Sequence, residues 1–117
     1  AGITICTALI SALTNIPIKS SIAMTGEITL RGRVLGVGGL KEKILAAQQY
    51  GITTVILPAE NKDDVIKIKK EELDKDITIH FVHNMDQVLE YALNESPFKK
   101  IYKKKSRIKS AANNKAI

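Results

Sequence analysis

The side chains best placed to do chemistry lie in one short stretch, Gly38-Gly39-Leu40-Lys41-Glu42-Lys43-Ile44-Leu45-Ala46-Ala47. On a helical wheel at about 100° per residue, Leu40, Ile44 and Ala47 define one apolar face. Lys43 falls at the edge of that face, between Ala47 and Tyr50, while Glu42 and Gln49 point the opposite way. Lys41 sits beside Gln48 on the flank. Of the two lysines, Lys43 is therefore the better candidate for burial. Burial penalises the ammonium form and lowers a lysine's pKa. A lysine that is partly neutral near pH 7 can act as a general base. The same position also suits a lysine that lays its methylenes along apolar neighbours and keeps its ammonium in water. The wheel leaves both readings open.

The glycines before this helix do not form a phosphate loop. A Walker loop needs Gly directly before its Lys and Ser or Thr directly after, whereas Lys43 stands between Glu42 and Ile44. The dinucleotide fingerprint needs a third Gly three residues after the second, and Lys41 occupies that position. No ATP-binding motif occurs in these residues.

The elements that must position Lys43 follow from patterning. Ala1 to Thr14 carries Ile3, Ile5, Cys6, Leu9, Ile10 and Leu13, apolar on most faces, which predicts a buried helix. Asn15-Ile16-Pro17 ends it. Ser21 to Thr25, Ile28 to Leu30 and Arg33 to Val37 read as short strands, joined at Gly26, Gly32 and Gly36, which suit turns, bulges or close backbone approach. A helix from about Leu40 to Tyr50 stops at Gly51. Ile52 to Leu57 is a β-branched run and reads as a buried strand. Glu60 to Leu73 holds one or two short, charged helices with Val65 and Ile68 inward. Ile77 to Val82 is a further strand, and Met85 to Leu93 a helix. Alternating strands and helices predict an α/β or α+β fold with helices on a sheet.

Composition limits the function classes. No apolar run approaches the roughly 20 residues that span a bilayer, so no membrane partner is expected. A single cysteine, Cys6, allows no internal disulfide, which fits a reducing compartment. The net charge of +6 suggests nucleic acid, but its distribution does not. Residues up to Glu95 hold ten basic and twelve acidic side chains. The whole excess lies in the segment from Lys99 to Lys115, which reads as a solvated, poorly ordered extension or a polyanion-binding tail. The expected organisation is one unit over residues 1–95 and a basic tail over 96–117. His80 and His83 are three apart, and on a strand such residues face opposite sides, so they do not chelate one ion; no metal site is expected. Cys6 reads as a small buried hydrophobe.

Three blocks together carry a family resemblance: Ala1-Gly2-Ile3-Thr4, Met24-Thr25-Gly26-Glu27-Ile28-Thr29-Leu30-Arg31-Gly32 and Gly38-Gly39-Leu40-Lys41-Glu42-Lys43. They resemble the signature blocks of Lon peptidases, ATP-dependent serine–lysine proteases, over residues 1 to about 95. The resemblance implies the Lon peptidase α/β fold, present in part, and an endopeptidase that degrades misfolded or regulatory proteins. In that family the first block continues Gly-Pro-Ser, whose Ser is the nucleophile, so the nucleophile would fall just before Ala1. The chain alone is then expected to be inactive. The second lysine of Gly-Gly-Leu-Lys-Glu-Lys is the family's base and maps onto Lys43. Thr25 is implied close to the Ser–Lys dyad, orienting the amine, and Glu27 and Arg31 are implied to order the site or a subunit contact. Ala1 and Gly2 would lie where helix N–H groups can meet an oxyanion.

The resemblance further implies protein substrates, a homo-hexameric parent, and an AAA+ module elsewhere in the parent that would hold ATP and Mg. No cofactor is expected within this chain. A bacterial cytoplasmic source is expected, with the mitochondrial matrix as the alternative. Two other readings stand beside it. One is a non-catalytic scaffold or nucleic-acid-binding module using the basic tail, and the other is the related peptidase fold of DNA-repair or ribosome-linked proteins.

Overall fold

The computed structural model describes residues 2–68, 70–73 and 75–98. The central strand shows how the layers form. Strand β4 (Thr54–Pro58) is flanked in parallel by β1 (Ile22–Met24) and β5 (Thr78–Val82), giving the order β1-β4-β5. Successive side chains of a strand face opposite sides, and β4 is apolar on both. Ile56 enters a cluster with Ile3, Ile16, Val82, Val88 and Leu89. Val55 and Leu57 enter a second cluster with Leu40, Ile44 and Ile68. A parallel sheet is covered in this way on both faces, because its crossovers carry helices.

Helices α1 (Ile3–Thr14) and α4 (Met85–Ala92) supply the first cluster, and α2 (Leu40–Gln49) the second. Between β1 and α2 the chain forms a separate antiparallel hairpin of β2 (Glu27–Ile28) and β3 (Val34–Leu35). The charged stretch after β4 resolves into a 3-10 turn at Ala59–Asn61, the short helix α3 (Lys62–Ile66) and a second 3-10 turn at Lys70–Glu72. As expected from the pattern, Ile68 is buried and Val65 packs against the second cluster.

The fold departs from the sequence reading at helix α1 and in the hairpin. Helix α1 is not buried all round: Ile3 and Thr7 are buried, whereas Ile5, Leu9 and Leu13 are 58%, 60% and 82% exposed. Among the described residues a single face of α1 meets a partner layer. The hairpin strands are also shorter than their β-branched runs, because the turn at Thr29–Arg33 closes on itself. There the Gly32 N–H donates to the Thr29 carbonyl at 2.9 Å, and the Thr29 N–H donates to the Arg33 carbonyl at 2.9 Å. No helix among the described residues is long and apolar enough to cross a membrane.

His80, on β5, stacks on Tyr91 of α4 with ring centroids 3.9 Å apart and planes 10° from parallel. Its pKa is lowered from 6.5, first by burial and then by the positive charge of Lys19. The folded state therefore favours the neutral imidazole. This contribution is complete above the unfolded value of about 6.5 and declines as pH falls from there toward the lowered folded value. His80→Phe keeps a ring on Tyr91 and removes the titration. Urea unfolding at pH 7.5 and pH 5 should show a smaller loss of stability on acidification in this variant than in the parent sequence. An equal loss in both would remove His80 from the account.

Candidate active site

Three segments meet beside the end of β1. Thr25 follows the strand directly, and its N–H donates to the Ile56 carbonyl at 3.2 Å, which extends the pairing with β4 by one residue. Gly26 comes next and is buried. Its carbonyl accepts from the Ile3 N–H at 3.0 Å, so the first turn of α1 is docked on the residue after Thr25. The Thr4 hydroxyl donates to the Met24 carbonyl at 3.3 Å, and Gly2 bridges Glu27 in antiparallel fashion. The start of α1 is thus held against the segment 24–27 at three points.

The third segment is α2. Its Leu40 and Ile44 are buried in the second cluster, which fixes the rotation of the helix and turns the two lysines to different sides. Lys41 Nζ pairs with Glu72 Oε2 at 3.1 Å, and Gln48 Nε2 donates to the Glu72 carbonyl at 3.0 Å. Lys43 reaches the other way, its Nζ donating to Thr25 Oγ1 at 3.3 Å. A cleft of about 250 Å³ opens here, lined in part by Ala23, Met24, Thr25, Lys43, Ala47 and Leu57. Its floor is apolar and its rim carries one amine and one hydroxyl.

Lys43 is exposed, so the burial expected from the wheel does not occur among the described residues. Only the Leu40–Ile44 stripe of α2 is covered, and nothing described lies over the flank that carries Lys43. What the structure supplies instead is a partner: the amine is held on the Thr25 hydroxyl, one residue before the Gly26 carbonyl on which the first turn of α1 docks. Thr25 is half-buried, and Gly2 is extended with φ −87° and ψ 171°. Ala1 lies outside the described residues. Because the Ile3 N–H is taken by Gly26, that donor of the first turn is not free for an oxyanion. Glu27 and Arg31 are both exposed, and among the described residues no ion pair joins them. Glu27 bridges Gly2, whereas Arg31 sits in the turn between β2 and β3. The basic segment from Lys99 to Lys115 lies outside the described residues.

One residue in this neighbourhood escaped the sequence reading. Asn61 is 4% exposed and binds the backbone just ahead of α2. A lone amide in a charged stretch has no period to betray it. The one available signal is its place three residues after the end of a buried strand.

A family model described as the Lon protease (S16) C-terminal proteolytic domain matches residues 1–95. Among curated proteins, the chain is similar to the Lon protease of Aquifex aeolicus (strain VF5), 56% identical over 97 residues. That alignment covers 83% of this chain and 12% of the relative. The Lon protease of Dictyoglomus thermophilum is 58% identical over 95 residues, covering 81% of this chain and 12% of its own length. That of Buchnera aphidicola subsp. Schizaphis graminum is 53% identical over 98 residues, with 84% and 12% covered. The chain therefore spans about an eighth of the length of these relatives. The docked helix start, the Thr25–Lys43 contact and the match from residue 1 to residue 95 lead to one statement: this chain belongs to the Lon protease (S16) C-terminal proteolytic domain family.

Proposed function

We propose that this chain contributes the general base of a Ser–Lys endopeptidase site within a larger, ATP-dependent protease. Its nucleophilic serine would come from residues ahead of Ala1. The observation that carries this reading is the 3.3 Å hydrogen bond from Lys43 Nζ to Thr25 Oγ1, on the segment that also docks the first turn of α1. Neutral Lys43 takes the proton of the serine hydroxyl as its oxygen attacks the substrate carbonyl carbon. The resulting ammonium then returns that proton to the leaving amine as the peptide C–N bond breaks. Water, deprotonated by the same amine, releases the acyl group and restores the serine. Closing the site with substrate removes water from Lys43, which in the described residues is open on one side.

Substrates are polypeptides, and ATP and Mg belong to a separate module of the parent, which assembles as a homo-hexamer and works in the cytoplasm. Thr25 accepts one hydrogen from the amine and so leaves the lone pair aimed away from β1. The test is a pair of variants in the full-length protease. The amine gains positive charge as it takes the serine proton, and a hydrogen bond to a charged group is worth about 1.5–3 kcal/mol. Thr25→Val should therefore lower kcat on a short peptide roughly tenfold to a hundredfold. Thr25→Ser, which keeps the hydroxyl, should stay within a few-fold of the parent enzyme. Full activity in Thr25→Val would reject the proposed orientation of the base.

A further inference from the structure

The chain between β3 and α2 is Gly36-Val37-Gly38-Gly39, three glycines around one side chain. Such a linker has little stiffness of its own, since glycine gives up more conformational freedom than any other residue when it is fixed. Yet it must hold the first turn of α2, in which the Lys43 N–H donates to the Gly39 carbonyl at 3.4 Å. A shift of this linker moves the start of the helix and Lys43 with it.

The stiffness comes from Asn61. Its Oδ1 accepts from the Val37 N–H at 2.9 Å, and its Nδ2 donates to the Val37 carbonyl at 2.8 Å. One carboxamide thus pairs with both backbone groups of one residue, as a neighbouring strand would. The amide is itself oriented by Asp64, whose Oδ2 accepts from Nδ2 at 2.9 Å. Beside it, Glu60 Oε1 accepts from the Gly36 N–H at 3.3 Å. The approach requires a small residue at 36: a Cβ there would lie 3.3 Å from both Asn61 Oδ1 and Glu60 Cβ. Asn61 is 4% exposed, a buried polar side chain whose hydrogen bonds run to this linker and to Asp64.

We propose that Asn61 is a positioning residue for Lys43, acting by clamping Val37 so that the glycine linker presents α2 at a fixed distance from Thr25. The proposal rests on the reading of Lys43 as the base. Aspartate at this position keeps the acceptor for the Val37 N–H but loses the donor to its carbonyl and opposes Asp64. Alanine loses every contact.

The experiment uses the full-length protease and a short peptide substrate that needs no unfolding, with kcat and KM measured separately and a thermal unfolding midpoint for each variant. Asn61→Asp and Asn61→Ala should lower kcat tenfold or more while KM stays within about twofold. Both should remain folded at the assay temperature. Gly36→Ala approaches the same contact from the other side, removes no hydrogen-bonding group, and should lower kcat a few-fold at an unchanged midpoint. Unchanged kcat in folded Asn61 variants and in Gly36→Ala would overturn the clamp. So would a fall in kcat that only follows the fraction of unfolded protein. Lys43→Ala run alongside separates the two levels: if it stays active, the role of the lysine fails first. If it is inactive while the Asn61 variants are not, the positioning role alone fails.

Discussion

Lys43→Arg in the full-length protease should lower kcat for peptide cleavage by about a hundredfold to ten-thousandfold, the range for removal of a general base. Its unfolding midpoint should scarcely move. Arginine keeps the positive charge and can still donate to Thr25 Oγ1, so the comparison isolates the proton. A guanidinium is not deprotonated in proteins, whereas an amine can give up its proton to become a base. Lys43→Ala and Lys43→Met should fall as far, because neither offers a basic nitrogen. The small stability effect follows from position. Lys43 is exposed, and among the described residues its side chain makes one hydrogen bond, to Thr25. Surface changes of this kind stay within about 0.5 kcal/mol. Peptide hydrolysis read with urea unfolding on the same preparations gives both numbers. Near-parental turnover in Lys43→Arg would mean that proton transfer runs through another group.

The parts of this site that were legible in the sequence are those governed by a period. The Leu40, Ile44 and Ala47 stripe placed Lys43 at the edge of an apolar face, and the structure keeps it there. Packing of Leu40 and Ile44 against Val55 and Leu57 fixes the helix rotation. The β-branched run that became β4 was legible by composition instead, since its side chains are buried on both faces. Four features were not legible. A wheel shows which side a lysine leaves from, but not what covers it, so the exposure of Lys43 could not be read. Nor could the opposite engagements of Lys41 with Glu72 and Lys43 with Thr25, which depend on residues distant in sequence. The apolar circumference of α1 misled for a related reason: composition gives the capacity of a face to be covered, and Ile5, Leu9 and Leu13 have no described neighbour that does so. Asn61 shows the limit most clearly, because a single amide acting on the backbone of Val37 leaves no repeating mark.

The largest effect on the fold should come from Gly26, the residue that joins the site to the core. It adopts φ +156°, which side-chain-bearing residues rarely take, and a Cβ would lie 3.0 Å from Val34 Cγ1. Pro58 Cγ at 3.3 Å and Ile3 Cδ1 at 3.4 Å close the other sides. None of the three can retreat cheaply, since Ile3, Val34 and Pro58 are themselves buried. Overpacking of a tight core costs about 1–3 kcal/mol, and a strained backbone region about 1–3 kcal/mol more. Gly26→Ala should therefore destabilise the fold by roughly 2–6 kcal/mol, a large share of a stability of about 5–15 kcal/mol. Gly26→Val should be worse. Gly38→Ala is the matched control: it has no heavy atom within 4 Å of the added methyl and no positive φ. It should change stability by no more than about 0.5 kcal/mol. Activity in Gly26→Ala should fall further than its folded fraction accounts for, because the Gly26 carbonyl is one of three contacts that tie the start of α1 to the segment carrying Thr25. Equal urea midpoints for Gly26→Ala and Gly38→Ala would show that the helix start is held by other contacts, and the link between core packing and the geometry of the amine would be lost.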